Sequence, residues 1–222
     1  KRMGLPIGRL ICASNRNDVL TEFLTTGTYN RKREFHLTNT PSMDILISSN
    51  LERYLFELFG REARAVAYCM YRLNEGGEYS VTAEALDQIR EEFAAYSCDD
   101  QKTLDTIREI HDRCGYVMDT HTAVAVNALE QYQQETGDRT PALVVSTASP
   151  FKFADSVLTA LGREVPAGEF DCLRALSEVS GLAVPASLAQ LEELPVRFEG
   201  AVRPQEMEHA LLHALRKMDE SM

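Results

Sequence analysis

The stretch Ala142 to Phe153, ALVVSTASPFKF, constrains this chain most tightly, because it reads as a buried strand running straight into a helix. Ala142 to Val145 is a short apolar run with adjacent β-branched residues. Ser146, Thr147 and Ser149 then crowd three hydroxyls into the turn, and Pro150 suits a first helical position, where its missing N–H costs nothing. Open α/β sheets bind their ligands where the carboxyl end of a strand meets a helix N-terminus. A hydroxyl from Ser146 or Thr147 is therefore placed to meet a ligand ring or phosphate. The simpler role for the same turn is helix capping by Ser149.

The rest of the chain alternates in the same way, which is the signature of an α/β fold. Arg9 to Ser14 (RLICAS) reads as a strand ending in Asn15, Asn17 and Asp18, followed by a helix from Val19 to Leu24 that closes near Gly27. Residues 28–41 read as loop, and Ser42 to Ile47 (SMDILI) as a second strand ending in Ser48, Ser49 and Asn50. Leu51, Tyr54, Leu55 and Leu58 then share one helical face. Between Arg61 and Cys114 the spacing predicts helices only: Arg61–Leu73 before Gly76 and Gly77, Thr82–Tyr96, and Asp99–Cys114 closed by Gly115. This divides the chain into an α/β part over 1–60, a helical insertion over 61–114, and the remainder with carboxyl-terminal helices over 115–222. In that remainder Tyr116 to Val126 enters a helix through Asp119, Thr120, His121 and Thr122, with Asp119 or Thr120 as its cap. Arg203 to Met218 forms a last amphipathic helix, with Met207, Ala210, Leu211, Ala214 and Leu215 inward.

Charge and cysteines narrow the function. A net charge of -11 over 222 residues argues against nucleic acid or an anionic membrane as partner, since both need clustered Lys and Arg. The five cysteines include no CxxC and no His/Cys cluster, so a reducing cytoplasm fits better than a disulfide framework or structural zinc. No apolar run is long enough to span a membrane. His121 is a candidate general base by residue type, but no acidic or nucleophilic partner is evident in the sequence, which favours a structural role. His209 and His213 lie four apart without a third ligand, and no metal site is expected.

Three motifs occur together: Ser42 to Arg53 (SMDILISSNLER), Asp119 to Ala125 (DTHTAVA) and Ser146 to Phe153 (STASPFKF). In order and approximate spacing they resemble the carboxyl-terminal part of threonine synthase, and KRMGLPIGRLICASNRNDVLTEF resembles the segment after that family's glycine-rich phosphate loop. The resemblance implies a three-layer αβα fragment of a fold-type II pyridoxal 5'-phosphate (PLP) enzyme. It implies conversion of O-phosphohomoserine and water to L-threonine and phosphate. Thr147 matches the hydroxyl that meets the PLP ring nitrogen, with Ser146 as its neighbour. Asp119 and His121 match the acidic residue and histidine facing the cofactor, and Thr120 stands where proline is usual. Ser48, Ser49 and Asn50 resemble the loop bordering the active-site cleft. Lys152 matches the junction-helix lysine, and Ser149 stands where histidine is common.

The family's Schiff-base lysine and phosphate loop lie upstream of the matched region, so no catalytic residue is assigned here. The five lysines, at 1, 32, 102, 152 and 217, include none in a glycine-rich cradle. The expected partners are the missing amino-terminal half of the protein and, through unpaired strand edges, a second copy as a homodimer or domain swap. The chain alone is expected to be inactive. Two alternatives remain on the same scaffold: a threonine synthase-like phospholyase, and a non-catalytic binding or assembly module. An α/β domain unrelated to PLP is the third.

Overall fold

The computed structural model describes residues 1–196 and 200–219. It divides into one unit from Lys1 to Val184 and another from Pro185 to Met222. In the first unit, β1 (Leu10–Ser14) is followed by α1 (Val19–Thr26), whose apolar Val19, Phe23 and Leu24 are buried. Gly27 ends this helix at φ 77°, in the left-handed region, and its N–H returns to Phe23 O. A Cβ there would also lie 3.2 Å from Val81 Cγ2, so a side chain would crowd that methyl in addition to straining the backbone.

The segment expected to be loop contains β2 (Thr28–Asn30), which pairs antiparallel with β3 (Glu78–Ser80). Between them run α2 (Leu51–Leu58) and α3 (Ala63–Gly76). Tyr29 and Tyr79 are directly opposite in the ladder and stack at 5.5 Å, with Phe23 within 5.9 Å of each ring. Val19, Leu24, Leu55, Cys69, Leu73 and Ile89 complete this buried cluster.

The block expected to be wholly helical is not. After α4 (Ala83–Glu92), capped by Thr82 as its sequence indicated, the chain enters β4 (Phe93–Ser97). β4 pairs in parallel with β1, Leu10 opposite Phe93 and Ser14 opposite Ser97. Phe93 and Ala95 join the α1 core with Cys12, whereas Tyr96 meets Tyr132 edge-on at 6.5 Å. Tyr132 lies on α6 (Thr120–Thr136), so the sheet has α1 on one face and α6 on the other. That is the expected αβα layering. α5 (Asp100–Cys114), α7 (Ala154–Ala160) and α8 (Glu169–Ser180) pack beyond α6 around Ile107, Val157, Leu158 and Leu176, each at most 0% exposed.

Two expected strands are absent. Ala142 to Val145 has no ladder partner among the described residues, and Leu143 and Val145 are 90% and 68% exposed. A β-branched run becomes a strand only beside a neighbour that satisfies its backbone. Ser42 to Ile47 also departs: Pro41–Met43 forms a 3-10 turn, and the chain continues without regular structure to Ser48. Proline suits a helical first turn and aspartate disfavours a strand, so Pro41 and Asp44 override the apolar pattern.

The second unit holds α9 (Ala186–Ala189) and α10 (Met207–Asp219). Met207, Leu211 and Leu215, expected to face inward, are 60%, 60% and 49% exposed.

Phe23→Ala is expected to lower unfolding free energy by about 3–5 kcal/mol, as for a large aromatic removed from a packed core. Tyr29→Phe, which deletes the hydroxyl bonded to Leu46 O and the Ser48 amide, should cost about 1 kcal/mol. Urea denaturation of both variants checks the order.

Candidate functional site

The site grows from the amino terminus of α6. Asp119 is the N-cap there, 1% exposed, and its Oδ1 accepts from the His121 amide at 2.8 Å and the Thr122 amide at 3.3 Å. The Thr122 hydroxyl donates to the other carboxylate oxygen. Burial opposes the charge of Asp119, but hydrogen bonds from His121 and Thr122 outweigh it and hold the carboxyl below its ordinary value.

His121 is 9% exposed, and both ring nitrogens are engaged. Nδ1 lies 3.2 Å from Asp119 Oδ1, and Nε2 accepts from the Ser42 amide at 3.3 Å. A backbone amide can only donate, so Nε2 carries no hydrogen and Nδ1 donates to the carboxylate. The imidazole is thereby held as the neutral Nδ1–H tautomer.

Two further contacts extend the cluster. Thr122 Oγ1 is hydrogen-bonded to Ser146 Oγ at 3.0 Å, tying α6 to the hydroxyl-rich turn. Lys152 Nζ donates to Ser42 Oγ at 3.1 Å and stands 5.3 Å from the Phe153 ring centroid, and that ring lies 5.2 Å from His121. Ser149 caps the Pro150–Phe153 turn through the Phe151 amide at 3.3 Å.

Of the residues singled out in the sequence, Asp119, His121, Ser146 and Lys152 are therefore linked into one cluster. Thr147 follows Ser146 directly and is exposed. Ser48, Ser49 and Asn50 are held elsewhere: the Ser48 amide donates to Tyr29 Oη at 2.8 Å, and Asn50 precedes α2 without a side-chain cap bond. Among the described residues no hydrogen bond joins that turn to the cluster.

Ser42 and Thr122 escaped the sequence reading as site residues. Ser42 was hidden inside an apparent strand, although the preceding Pro41 signalled a turn. A polar network sets its position. Asp44 Oδ1 accepts from Asn15 Nδ2 at 2.7 Å, Asn17 Nδ2 at 3.0 Å and Thr38 Oγ1 at 2.7 Å, and Oδ2 accepts from the Thr38 amide at 3.1 Å. Asn15 and Asn17 are 2% and 3% exposed and follow β1 immediately, so the end of that strand fixes the turn bearing Ser42.

Ser146 and Thr147 offer exposed hydroxyls at the approach to a helix N-terminus. Lys152 is the only lysine joined to the cluster among the described residues, and its ammonium is committed to Ser42 and Phe153. No group of three or more His, Cys, Asp or Glu side chains among the described residues is arranged to hold a metal ion. Among the described residues no helix is long and apolar enough to cross a membrane.

The layered α/β architecture is the one expected of a portion of a fold-type II PLP enzyme, and it is the solved PLP-bound relative below that carries the class. The comparisons agree. Residues 122–210 match the family described as threonine synthase, C-terminal. The PLP-bound threonine synthase of Brucella melitensis shares 37% identity at a TM-score of 0.72, over 89% of this chain and 38% of that one. Yeast threonine synthase superposes at a TM-score of 0.81 with 31% identity, covering 97% of this chain and 44% of that one. The threonine synthase of Pseudomonas aeruginosa is 36% identical over 167 residues, which is 75% of this chain and 35% of the relative. The chain belongs to the threonine synthase family and corresponds to its carboxyl-terminal region, spanning about a third of the length of the Pseudomonas relative.

Because the folded pKa of Asp119 lies below its ordinary 3.8, its contribution to stability is fully present above that value and is lost as pH falls through the lower folded one. Asp119→Ala should cost about 1–2 kcal/mol at neutral pH, the usual size of a lost N-cap, and should flatten this acid limb of the stability profile. Denaturation of both proteins across acid pH measures it.

Proposed function

We propose that the chain forms one wall of the active site of a PLP-dependent threonine synthase that converts O-phosphohomoserine and water to L-threonine and phosphate. The observation that carries the reading is the linked cluster of Asp119, His121, Ser146 and Lys152 beside the exposed hydroxyl of Thr147. In the net reaction the bond from Cγ to the phosphate oxygen breaks, phosphate leaves, and the water oxygen ends on Cβ.

When bound, PLP supplies the electron sink this chemistry needs. Thr147 would hold the ring nitrogen through its hydroxyl, with Ser146 beside it. A neutral hydroxyl, unlike a carboxylate, does not hold that nitrogen protonated, so it moderates the sink. Asp119 and His121 act as a fixed frame facing the cofactor, since both nitrogens of His121 are occupied. Ser48, Ser49 and Asn50 border the cleft. Lys152 binds an anionic group of the substrate. The lysine that carries the cofactor and the loop that holds its phosphate belong to the part of the protein outside this chain, which is the principal partner. The site of action is the cytoplasm.

A threonine synthase-like phospholyase is the second reading. Human threonine synthase-like 1 is 36% identical over 162 residues, the same identity as the Pseudomonas enzyme.

The whole protein, supplied with PLP, is expected to release inorganic phosphate from O-phosphohomoserine faster than from O-phosphothreonine. The reverse preference selects the second reading, and release from neither substrate overturns both. Thr147→Val, which keeps the shape and removes the hydroxyl, should lower kcat/KM by about tenfold or more, the scale of one lost polar contact at a reacting centre.

A further inference from the structure

Lys152 presents an electrostatic oddity. In a chain with 34 acidic residues and a net charge of -11, no carboxylate lies within 4.0 Å of its ammonium among the described residues. It is held instead by the Ser42 hydroxyl at 3.1 Å and by the Phe153 ring. An exposed lysine ordinarily roams through many rotamers and loses that freedom when it is fixed. Here the serine hydroxyl and the neighbouring ring hold it with no carboxylate within 4.0 Å among the described residues.

We propose that Ser42 is a positioning residue that aims Lys152, and that the two together form a clamp for the oxyanion group of a phosphorylated substrate. This rests on reading the cluster as a ligand site. Ser42 Oγ accepts from Lys152, so its own O–H remains free to donate, and two ammonium hydrogens remain on Lys152. The donated bond polarises the serine hydroxyl and strengthens it as a donor. An anion with several oxygens can bridge both groups, whereas a single-point acceptor can use only one. Ser42 is itself immobilised through its amide on His121 Nε2, and through the Pro41–Met43 turn that the Asp44 network supports. The direction of the lysine is thus set from the end of β1, across three separate segments of chain.

The test is the rate at which Lys152 is acylated by an amine-reactive ester in the whole protein, read by mass spectrometry with Lys32 and Lys102 as internal references. Inorganic phosphate, compared with sodium chloride at matched ionic strength, should slow labelling of Lys152 about threefold or more once saturating and leave the references unchanged. In Ser42→Ala labelling should be faster, with the phosphate protection gone. Ser42→Thr, which restores the hydroxyl, should recover both. Equal protection in wild type and Ser42→Ala overturns the role of Ser42, and no protection in wild type overturns the clamp. Neither readout needs turnover of O-phosphohomoserine, so a failed clamp and a failed functional reading are told apart. Faster labelling of Lys32 and Lys102 in Ser42→Ala, not restored by Ser42→Thr, also counts against the proposal, because it marks general loosening.

Discussion

The parallel pairing of β1 with β4 determines where every polar group of the site can stand. Parallel neighbours cannot be joined by a tight turn, and the chain between them must cross over outside the sheet. Here the crossover runs from Ser14 to Phe93 and carries α1 through α4. Both strands therefore end on the same side. Asn15 leaves one strand there, and Cys98 leaves the other with its amide bonded to Ser14 O at 2.9 Å. The loop from His36 to Asp44 is drawn to that end because it completes the hydrogen bonds of Asn15 and Asn17.

That loop shows how a polar network does the work apolar packing does elsewhere. The four bonds accepted by Asp44 include two from amides of almost fully buried asparagines. Each such donor would lose about 1–3 kcal/mol if left unpaired, so the network holds as a unit or not at all. Its consequence lies at its edge: the Pro41–Met43 turn presents Ser42 to His121 and Lys152. The polar residues around Asp44 have a structural function that ends in a chemical one.

The sequence showed much of this, unevenly. Helix ends were legible because capping is local chemistry: Thr82, Asp99, Asp119 and Ser149 accept from amides two or three residues on, and Gly77 and Gly115 close helices in the left-handed region. Strands were legible only where their partners were. Leu10–Ser14 was found, but its mate was read as the tail of a helix because Phe93 and Tyr96 keep a three-residue spacing. Ala142–Val145 has the composition of a strand and no ladder, since pairing is a property of two segments. The site showed the same division. Asp119, His121, Ser146 and Lys152 announced themselves within motifs, whereas the link through Ser42 joins residues 79 and 110 positions apart.

His121 illustrates what geometry adds to residue type. As a residue type it is the natural proton carrier of the cluster. Yet its Nδ1 faces a buried carboxylate, and its Nε2 is occupied by the N–H of the Ser42 amide, a hydrogen that is shared but not transferred. For Nε2 to accept a proton from a ligand, the Ser42 amide must first move away, and the hydroxyl aimed at Lys152 would move with it. Acid–base work by His121 and a fixed lysine are therefore mutually exclusive in this arrangement. The structure holds the second state, in which the histidine keeps one proton and spends both nitrogens on position.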